Sequence, residues 1–470
     1  MNRLAELWLA IREDASFAFK SLARVPTYTV TVVMTLALAI GGLTAVFSVL
    51  YAVVLRPLPF PEADRIFAVH THFAAFAIER IGSSPNEFLD IQNKNHSFSR
   101  TAAITSGSVN LTGQGDAKRV AALWASAEMV RLLGVPPVLG RDFAPGEDQA
   151  GAAPVAMLTS SFHKRQFGGA SDVIGKVLDI DGKPHTIIGV LPPAYDHYPR
   201  IGDASGEDAE PRDLWVPLSF TAQQLDPRAR GGRYIKVFGR LSQGATAASA
   251  GADMAKLADS FFTDFPDNYK REGGFTLYVE SMKAYGAGKA GLVLSLLLGA
   301  VTMVLLAACA NVVSLTLARI ASRRREIAVR AALGATADRI AGQFLVESVI
   351  VAVAAGVLGI VIGRAGMDGL VAAARDSMNN VEVSFQLPVL AFALGISVLT
   401  GLIAGAAPAW HAARLSPNAG LREGGRSTSA SALRLRSGLV IAQVAVALVL
   451  LTGTGMLLRS IVHLTSTSPG

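Results

Sequence analysis

The sequence predicts a membrane protein, an α-helical transmembrane bundle with one inserted α+β domain. Three observations predict it. Half of the 470 residues are hydrophobic and only 17% are charged, against about a quarter charged in a soluble chain. The deficit is concentrated in a few long runs rather than spread out. Between the first two runs lies a stretch of mixed texture with ordinary charge density.

Each run can be tested by length, because a bilayer core requires roughly 20 consecutive apolar residues in a helix. Val25–Leu55, Gly291–Ala318 and Ser437–Leu458 hold no charged residue, and Leu387–Ala413 holds only His411. Ala341–Gly363 is interrupted only by Glu347. Five spans are expected: 25–55, 291–318, 341–363, 387–411 and 437–458. The first is longer than lipid demands, so it is expected to tilt or to continue beyond the membrane as a stalk. It is also far longer than the roughly 7–15 residues of a signal-peptide core, and it reads as an uncleaved span. Cys309 is the one cysteine. It excludes a disulfide within the chain and reads as a small buried hydrophobe.

Charge orients the spans. The leader carries Arg3, Arg12, Lys20 and Arg24. The segment 319–340 carries Arg319, Arg323, Arg324, Arg325, Arg330 and Arg339. The linker 412–436 carries Arg414, Arg422, Arg426, Arg434 and Arg436. These alternate segments hold 15 of the 43 basic residues, whereas residues 56–290 balance 25 basic against 26 acidic. The positive-inside rule places the three basic segments in the cytoplasm, and the 56–290 domain and the short loop 364–386 outside. The fifth span then runs outward to the tail 459–470. The basic excess is juxtamembrane, so it argues for membrane lipid as the partner and against nucleic acid.

The leader, 1–24, places Leu4, Leu7, Trp8, Ile11, Ala15, Phe19 and Leu22 at three- and four-residue steps. This is an amphipathic helix expected to lie in the cytoplasmic interface, with a docking helix for a soluble partner as the rival reading. In 56–290, "KVLDIDGKPHTIIGV" alternates about Asp181-Gly182, a strong hairpin signal. "YIKVFGRL" reads as a strand. "ATAASAGADMAKLADSFFTDF" reads as a helix with Met254, Leu257 and Phe261 on one side, and "SSPNEFLDIQNK" as a helix opened by Ser-Pro with Glu87 in its first turn.

Catalytic constellations are missing from the pattern. His70 and His72 would share a strand face, but two histidines without a third ligand do not make a zinc site; they read as surface or partly packed side chains. His163, His185 and His197 show no paired spacing. No G-x-S-x-G or H-E-x-x-H motif occurs. "GGASDVIGKV" has the wrong spacing for a phosphate-binding loop, and "GAGKA" at 286–290 lacks the upstream glycine and the hydroxyl. The expectation is no catalytic, cofactor-binding or metal residue, and no enzyme. Any ATPase is a separate chain.

Residues 319–340 are the most informative short segment. "RRREIAVRAALGA" reads as helix with a break at Gly334, a basic cluster Arg323, Arg324 and Arg325 beside Glu326, and an apolar stripe of Ile327, Ala331 and Leu333. It is either a solvated positive-inside turn or a coupling helix for a cytoplasmic ATPase. Glu347 follows at span depth, where an ionisable residue is a functional candidate; it could snorkel or pair with Arg339.

Together, "RRREIAVRAALGA" with "QFLVES", and "PAWHAARLSP" after the fourth span, resemble the MacB-like, FtsX-type permeases of ABC transporters. "LLGVPPVLGRDFAPGED", "PVAMLTSSFHKRQFGG" and "LWVPLS" resemble the periplasmic core domain of that family. The opening "RVPTYTVTVVMTLALAIGGLTAVFSVL" is similar to the long duplicated permeases first noticed in acidobacteria. The resemblance implies a dimer or pseudo-dimer with four spans per half, and a separate cytoplasmic ABC ATPase docked on the coupling helix. The residues implicated are Arg323, Arg324, Arg325, Glu326, Ile327, Arg330, Leu333 and Gly334. It also implies mechanotransmission, in which ATP hydrolysis moves the periplasmic domain, in export or efflux. An FtsX-like, non-transport regulator of cell-wall enzymes is the alternative. "LRLRSGLVIAQVAVALVLL" resembles the start of a second half, so a truncation after the first half is the expectation, with the Ser-rich linker 412–436 between halves.

Overall fold

A computed structural model describes residues 18, 20–76, 78–112, 117–196, 212–288, 290–333, 335–373, 386–413 and 430–466. The leader up to residue 17, Phe19, Gly334 and most of the Ser-rich linker lie outside the described residues. The chain divides into two compact units: Val53–Gly291, and Met1–Ala52 with Leu292–Gly470.

The second of these is the helical unit. Its first helix, α1 (Pro26–Leu50), opens on a proline whose missing N–H costs nothing in the first turn. It continues through a π-helical turn at Tyr51–Leu55.

The unit Val53–Gly291 is built on a mostly antiparallel sheet. Its strands are β1 (Ile66–Phe73), β2 (Ile78–Ile81), β3 (Phe98–Thr112), β4 (Lys118–Ala125), β5 (Leu139–Gly140), β6 (Val155–Leu158), β7 (Val177–Ile180), β8 (Lys183–Val190), β9 (Leu214–Pro217), β10 (Lys236–Leu241) and β11 (Phe275–Ser281). The main order is β11-β1-β10-β3-β4-β9-β6-β8-β5. Among the described residues, β4–β9 and β6–β8 pair in parallel and the other pairs are antiparallel. Helices α2 (Pro85–Lys94) and α3 (Ala247–Asp264) cover one face. β1 shows why both faces are apolar: Phe67 and Val69 pack under those helices, while Ile66 and Ala68 enter a second cluster around Phe143, Tyr195, Trp215 and Phe238. A strand covered on both sides reads as a run rather than an alternation.

Local chemistry accounts for the boundaries. The β7–β8 hairpin turns at Asp181 and Gly182, with φ of 49° and 77°. Both central residues are left-handed, as a two-residue turn matching strand twist requires. Asp181 Oδ1 also accepts from the Asn110 amide at 2.9 Å, fixing the turn to β3. Ser84 and Glu87 form a reciprocal capping box at the start of α2, and Thr246 and Ser249 do the same for α3. Met254, Leu257 and Phe261 are buried along α3.

Glu87 does more than cap. Its side chain is fully buried and accepts from the Ser84 N–H at 2.8 Å, Arg233 Nη2 at 2.6 Å and the Tyr269 hydroxyl at 2.7 Å. Arg230 pairs with Asp90 at 2.8 Å and lies over the Phe265 ring. These bonds staple the segment between β9 and β10 onto α2. His70 is buried in β1 between the Tyr278 and Tyr285 rings, with Nε2 3.6 Å from Glu280 Oε2. Sequence reasoning expected a surface or partly packed side chain; burial of β1 on both faces makes it fully buried. Burial, then the positive charges of Lys236 and Arg80, pull its pKa down to about 3.

After this unit the chain forms α4 (Ala290–Ser322), α5 (Arg324–Ala332), α6 (Ala337–Ala373), α7 (Leu387–Ala413) and α8 (Ala430–Ser466). Among the described residues, four helices are long and apolar enough to cross a membrane: Pro26–Leu55, Gly291–Ser322, Ala337–Ala365 and Leu387–Trp410. The fifth expected span falls in α8, whose apolar stretch Ser437–Gly453 is shorter than those four. Gln443 of α8 donates to the Ala307 carbonyl of α4 at 3.0 Å. The third span starts earlier and continues further than composition suggests, because hydrogen bonding carries a helix through its polar ends.

α6 is the central strut. A Cβ at Gly41 of α1 would sit 2.6 Å from the Gly359 carbonyl oxygen, and one at Gly359 would sit 2.7 Å from that of Ala37. The Ala37/Gly41 and Gly359/Gly363 steps thus let two backbones touch, the small-xxx-small solution for helices in lipid. On its other side, α6 meets Gly401 and Gly405 of α7 through Val349 and Ser348.

Replacing Glu87 by alanine is expected to destabilise the Val53–Gly291 unit by about 3–5 kcal/mol, since Arg233 loses its buried partner; urea unfolding followed by Trp124 and Trp215 fluorescence measures it. A Gly359→Leu change should separate α1 from α6 and lower the thermal midpoint of the detergent-solubilised chain, whereas Gly299→Leu, with open space around it, should not. For His70, the unfolded side chain takes up a proton near its ordinary 6.5 and the folded one only near 3. Its contribution to stability is therefore full above pH 6.5 and is lost as pH falls toward 3. A His70→Phe variant should show a shallower fall of the unfolding midpoint across that acid window.

Candidate functional site

The joint between α4 and α6 brings together the ion pairs of Arg319, Arg323, Glu326, Arg330 and Glu347. α4 ends at Ser322, one turn past Arg319, so Arg319 belongs to the span helix and not to a loop. Arg323 makes the corner, and α5 follows at once. Thr336 then accepts from the Arg339 amide and starts α6.

α5 is held by charge on its own surface and by apolar contact below. Glu326 pairs with Arg323 at 3.0 Å and with Arg330 at 2.6 Å. Arg330 also donates to Gln343 Oε1 on α6 at 3.1 Å. Ile327 is buried with Ile320, Ile340, Phe344 and Ala409. Its neighbour Ala328 is buried as well, whereas Val329 is 47% and Leu333 84% exposed. The apolar stripe expected from Ile327 to Leu333 therefore does not form one face. Ile327 anchors the helix and Leu333, just past its last turn, points away; six residues span about 240° of helical rotation. Arg324 and Arg325 are the first residues of α5, and their side chains, like Gly334, lie outside the described residues.

One step deeper lies a second set that the sequence did not reveal. Glu347 is 7% exposed and pairs with Arg319 at 2.7 Å. Its partner is thus Arg319 of α4, not the Arg339 that sequence proximity suggested, because Glu347 faces the end of α4 across the bundle. Arg319 Nη2 also donates to the Ser21 hydroxyl at 3.0 Å and to its carbonyl at 3.2 Å. Arg323 Nη1 reaches the same hydroxyl at 3.2 Å. The Arg319 guanidinium lies 4.6 Å from the Tyr28 ring centre, and Tyr28 bonds Thr316 at 2.8 Å. The expected Glu347–Arg339 reading was drawn from helix spacing; a signal for the true pair was that Arg319 is the first basic residue after the second span's apolar run.

Magnitudes separate the two sets. The Glu326 pairs are partly exposed and contribute a few tenths of a kcal/mol each. The Arg319–Glu347 side chains are each 10% exposed, and removing one partner of such a pair costs about 3–5 kcal/mol. Among the described residues, no group of three or more His, Cys, Asp or Glu is arranged to hold a metal; His72 stacks edge-on to Tyr278 and His163 Nε2 bonds the Ala170 carbonyl.

Comparison with known proteins agrees with this layout. The family described as MacB-like periplasmic core domain matches residues 29–257, and that described as FtsX-like permease C-terminal matches residues 298–417. The chain is 28% identical over 286 residues to the pyoverdine export ATP-binding/permease protein PvdT of Pseudomonas entomophila (strain L48), covering 60% of this chain and 40% of that one. It is 28% identical over 282 residues to the macrolide export ATP-binding/permease protein MacB of Hahella chejuensis (strain KCTC 2396), covering 58% and 38%. This chain therefore spans about two fifths of the length of those relatives. Among solved structures, the periplasmic region of MacB from Actinobacillus actinomycetemcomitans is 12% identical, covering 47% of this chain and 91% of that one, with a TM-score of 0.33. With the first family match running from α1 into α3 and the second from α4 to just beyond α7, this chain belongs to the MacB-like, FtsX-type permeases of ABC transporters.

Proposed function

We propose that the chain is the permease subunit of an export-type ABC transporter, driven by a separate cytoplasmic ATPase that docks on α5. The observation that carries this reading is the division of α5 and its end into two sides. Ile327 and Ala328 are sunk into the bundle while Val329 and Leu333 are displayed beside Arg323, Glu326 and Arg330. A helix that served only to orient the membrane insertion would need the arginines alone. An apolar knob ringed by charge suits a groove on a soluble partner.

The basic segments support a cytoplasmic α5 and an outer Val53–Gly291 unit. Hydrolysis in the ATPase would tilt α5 and, through it, α4 and α6. The relatives are named as export proteins, which favours outward work on the periplasmic side over import. In this reading the chain works as a dimer or pseudo-dimer of permease halves and performs no catalysis itself.

Replacing Arg323, Arg324, Arg325 and Glu326 together by alanine is expected to abolish co-purification of an ABC ATPase with the membrane-extracted chain. Leu333→Asp alone should reduce the captured ATPase about tenfold, the cost of burying a charge where a leucine sat. Equal capture by the wild type and both variants would remove α5 as the docking element.

A further inference from the structure

We propose that Glu347 is a positioning residue that locks α5 to the approach of the first span, so that the docking helix cannot move without moving α1 and α6. The inference rests on the reading of α5 given above, but the joint itself is a property of this chain alone.

Four polar groups from separate stretches of sequence meet at one point. Glu347 comes from α6, Arg319 from the last turn of α4, Arg323 from the corner before α5, and Ser21 from the segment leading into α1. Ser21 is the hub. Its hydroxyl takes Arg319 at 3.0 Å and Arg323 at 3.2 Å, and lies 3.5 Å from Glu347 Oε1. Arg319 in turn covers Tyr28, at the start of α1. Above the knot the walls are apolar: Val32, Leu36, Val312 and Val351 line the same cavity as Arg319 and Glu347.

The surroundings set the direction of dependence. A guanidinium in an apolar niche holds its place only while its counter-charge is there. Without the Glu347 carboxylate, Arg319 is driven toward water, and both of its bonds to Ser21 go with it. Arg323 would then hold Ser21 alone. Glu326 cannot substitute, because it is already shared between Arg323 and Arg330 and lies on α5 itself. α1 and α6 are also joined higher up by the Gly41–Gly359 contact. The pair is therefore one stiff body that the α4–α5 corner meets at this knot, beside the direct Arg330–Gln343 bond from α5 to α6, and a push on α5 reaches α1 through the knot instead of dissipating in the corner.

The test uses the full chain in lipid nanodiscs, with Cys309→Ala removing the native thiol. Spin labels at Ala23→Cys and Leu333→Cys, both exposed, report the distance from the first-span approach to the end of α5. The wild-type background should give a narrow distance distribution. Glu347→Gln, nearly the same shape without the charge, should widen it about twofold. The exchange Glu347→Arg with Arg319→Glu should narrow it again, and Ser21→Ala should widen it less than Glu347→Gln does. A second label pair, Met34→Cys with Val361→Cys, reports the α1–α6 body and should stay unchanged. The proposal is overturned if Glu347→Gln leaves the first distribution as narrow as wild type, if the exchange gives no recovery, or if the second pair widens equally, since that is general loss of packing. Capture of an ABC ATPase by the wild-type chain is measured separately. If none is captured while the distances behave as expected, the docking assignment fails and the joint stands.

Discussion

Hydrocarbon offers no hydrogen bonds, and that constraint organises the helical unit. A chain crossing it must satisfy its own backbone, which leaves the helix as the answer for every apolar run here. Charges are then confined to the ends of the runs, or must bring a partner. Glu347 is the test case: it stands inside the third apolar run and is tolerated because Arg319 meets it from another helix. The same lack of solvent explains how the helices are held. Lipid gives little drive for one apolar helix to prefer another, so close backbone approach has to do it, at Ala37 and Gly41 against Gly359.

The two kinds of contact divide the work. Glycine crossings make α1 and α6 a stiff pair through many weak atomic contacts, each worth about 0.1–0.2 kcal/mol. The Arg319–Glu347–Ser21 knot is small in area but strong, and its loss is abrupt. The helical unit thus combines a stiff body with a defined point of attachment. α5 adds the third component. It is anchored by Ile327 and steadied by weak, partly exposed pairs around Glu326, so it can shift without unfolding the bundle.

The Val53–Gly291 unit follows water-soluble rules. Its sheet is buried on both faces near β1 and β10, and the irregular segment between β9 and β10 is pinned by buried Glu87 and by Arg230 stacked on Phe265. Such ionic staples add little net stability compared with apolar replacements, but they are costly to break. They fix the segment between β9 and β10 against α2 in one conformation. His70, buried and kept neutral by its surroundings, belongs to the same class of structural polar residue.

Periodicity and composition were enough for the α+β domain inside a helical membrane protein, because lipid and water impose different patterns on every stretch they touch. The Asp181-Gly182 hairpin, the Ser-Pro opening of α2 with Glu87 in its first turn, and the buried side of α3 were also legible, since each depends on residues a few positions apart. What depends on distant residues was not. The burial of His70 follows from strands that cover β1 on either side. The partner of Glu347 sits 28 residues away at Arg319, while the nearer Arg339 looked plausible on helix spacing alone. The separation of Ile327 from Leu333 follows from which side of α5 meets Phe344. By itself the sequence determined which segments meet lipid, which meet water and where helices and turns begin, because those are local solvation choices. Only the tertiary structure decided which charge answers which, because a buried ion pair is chosen by where two helices cross and not by how far apart they lie along the chain.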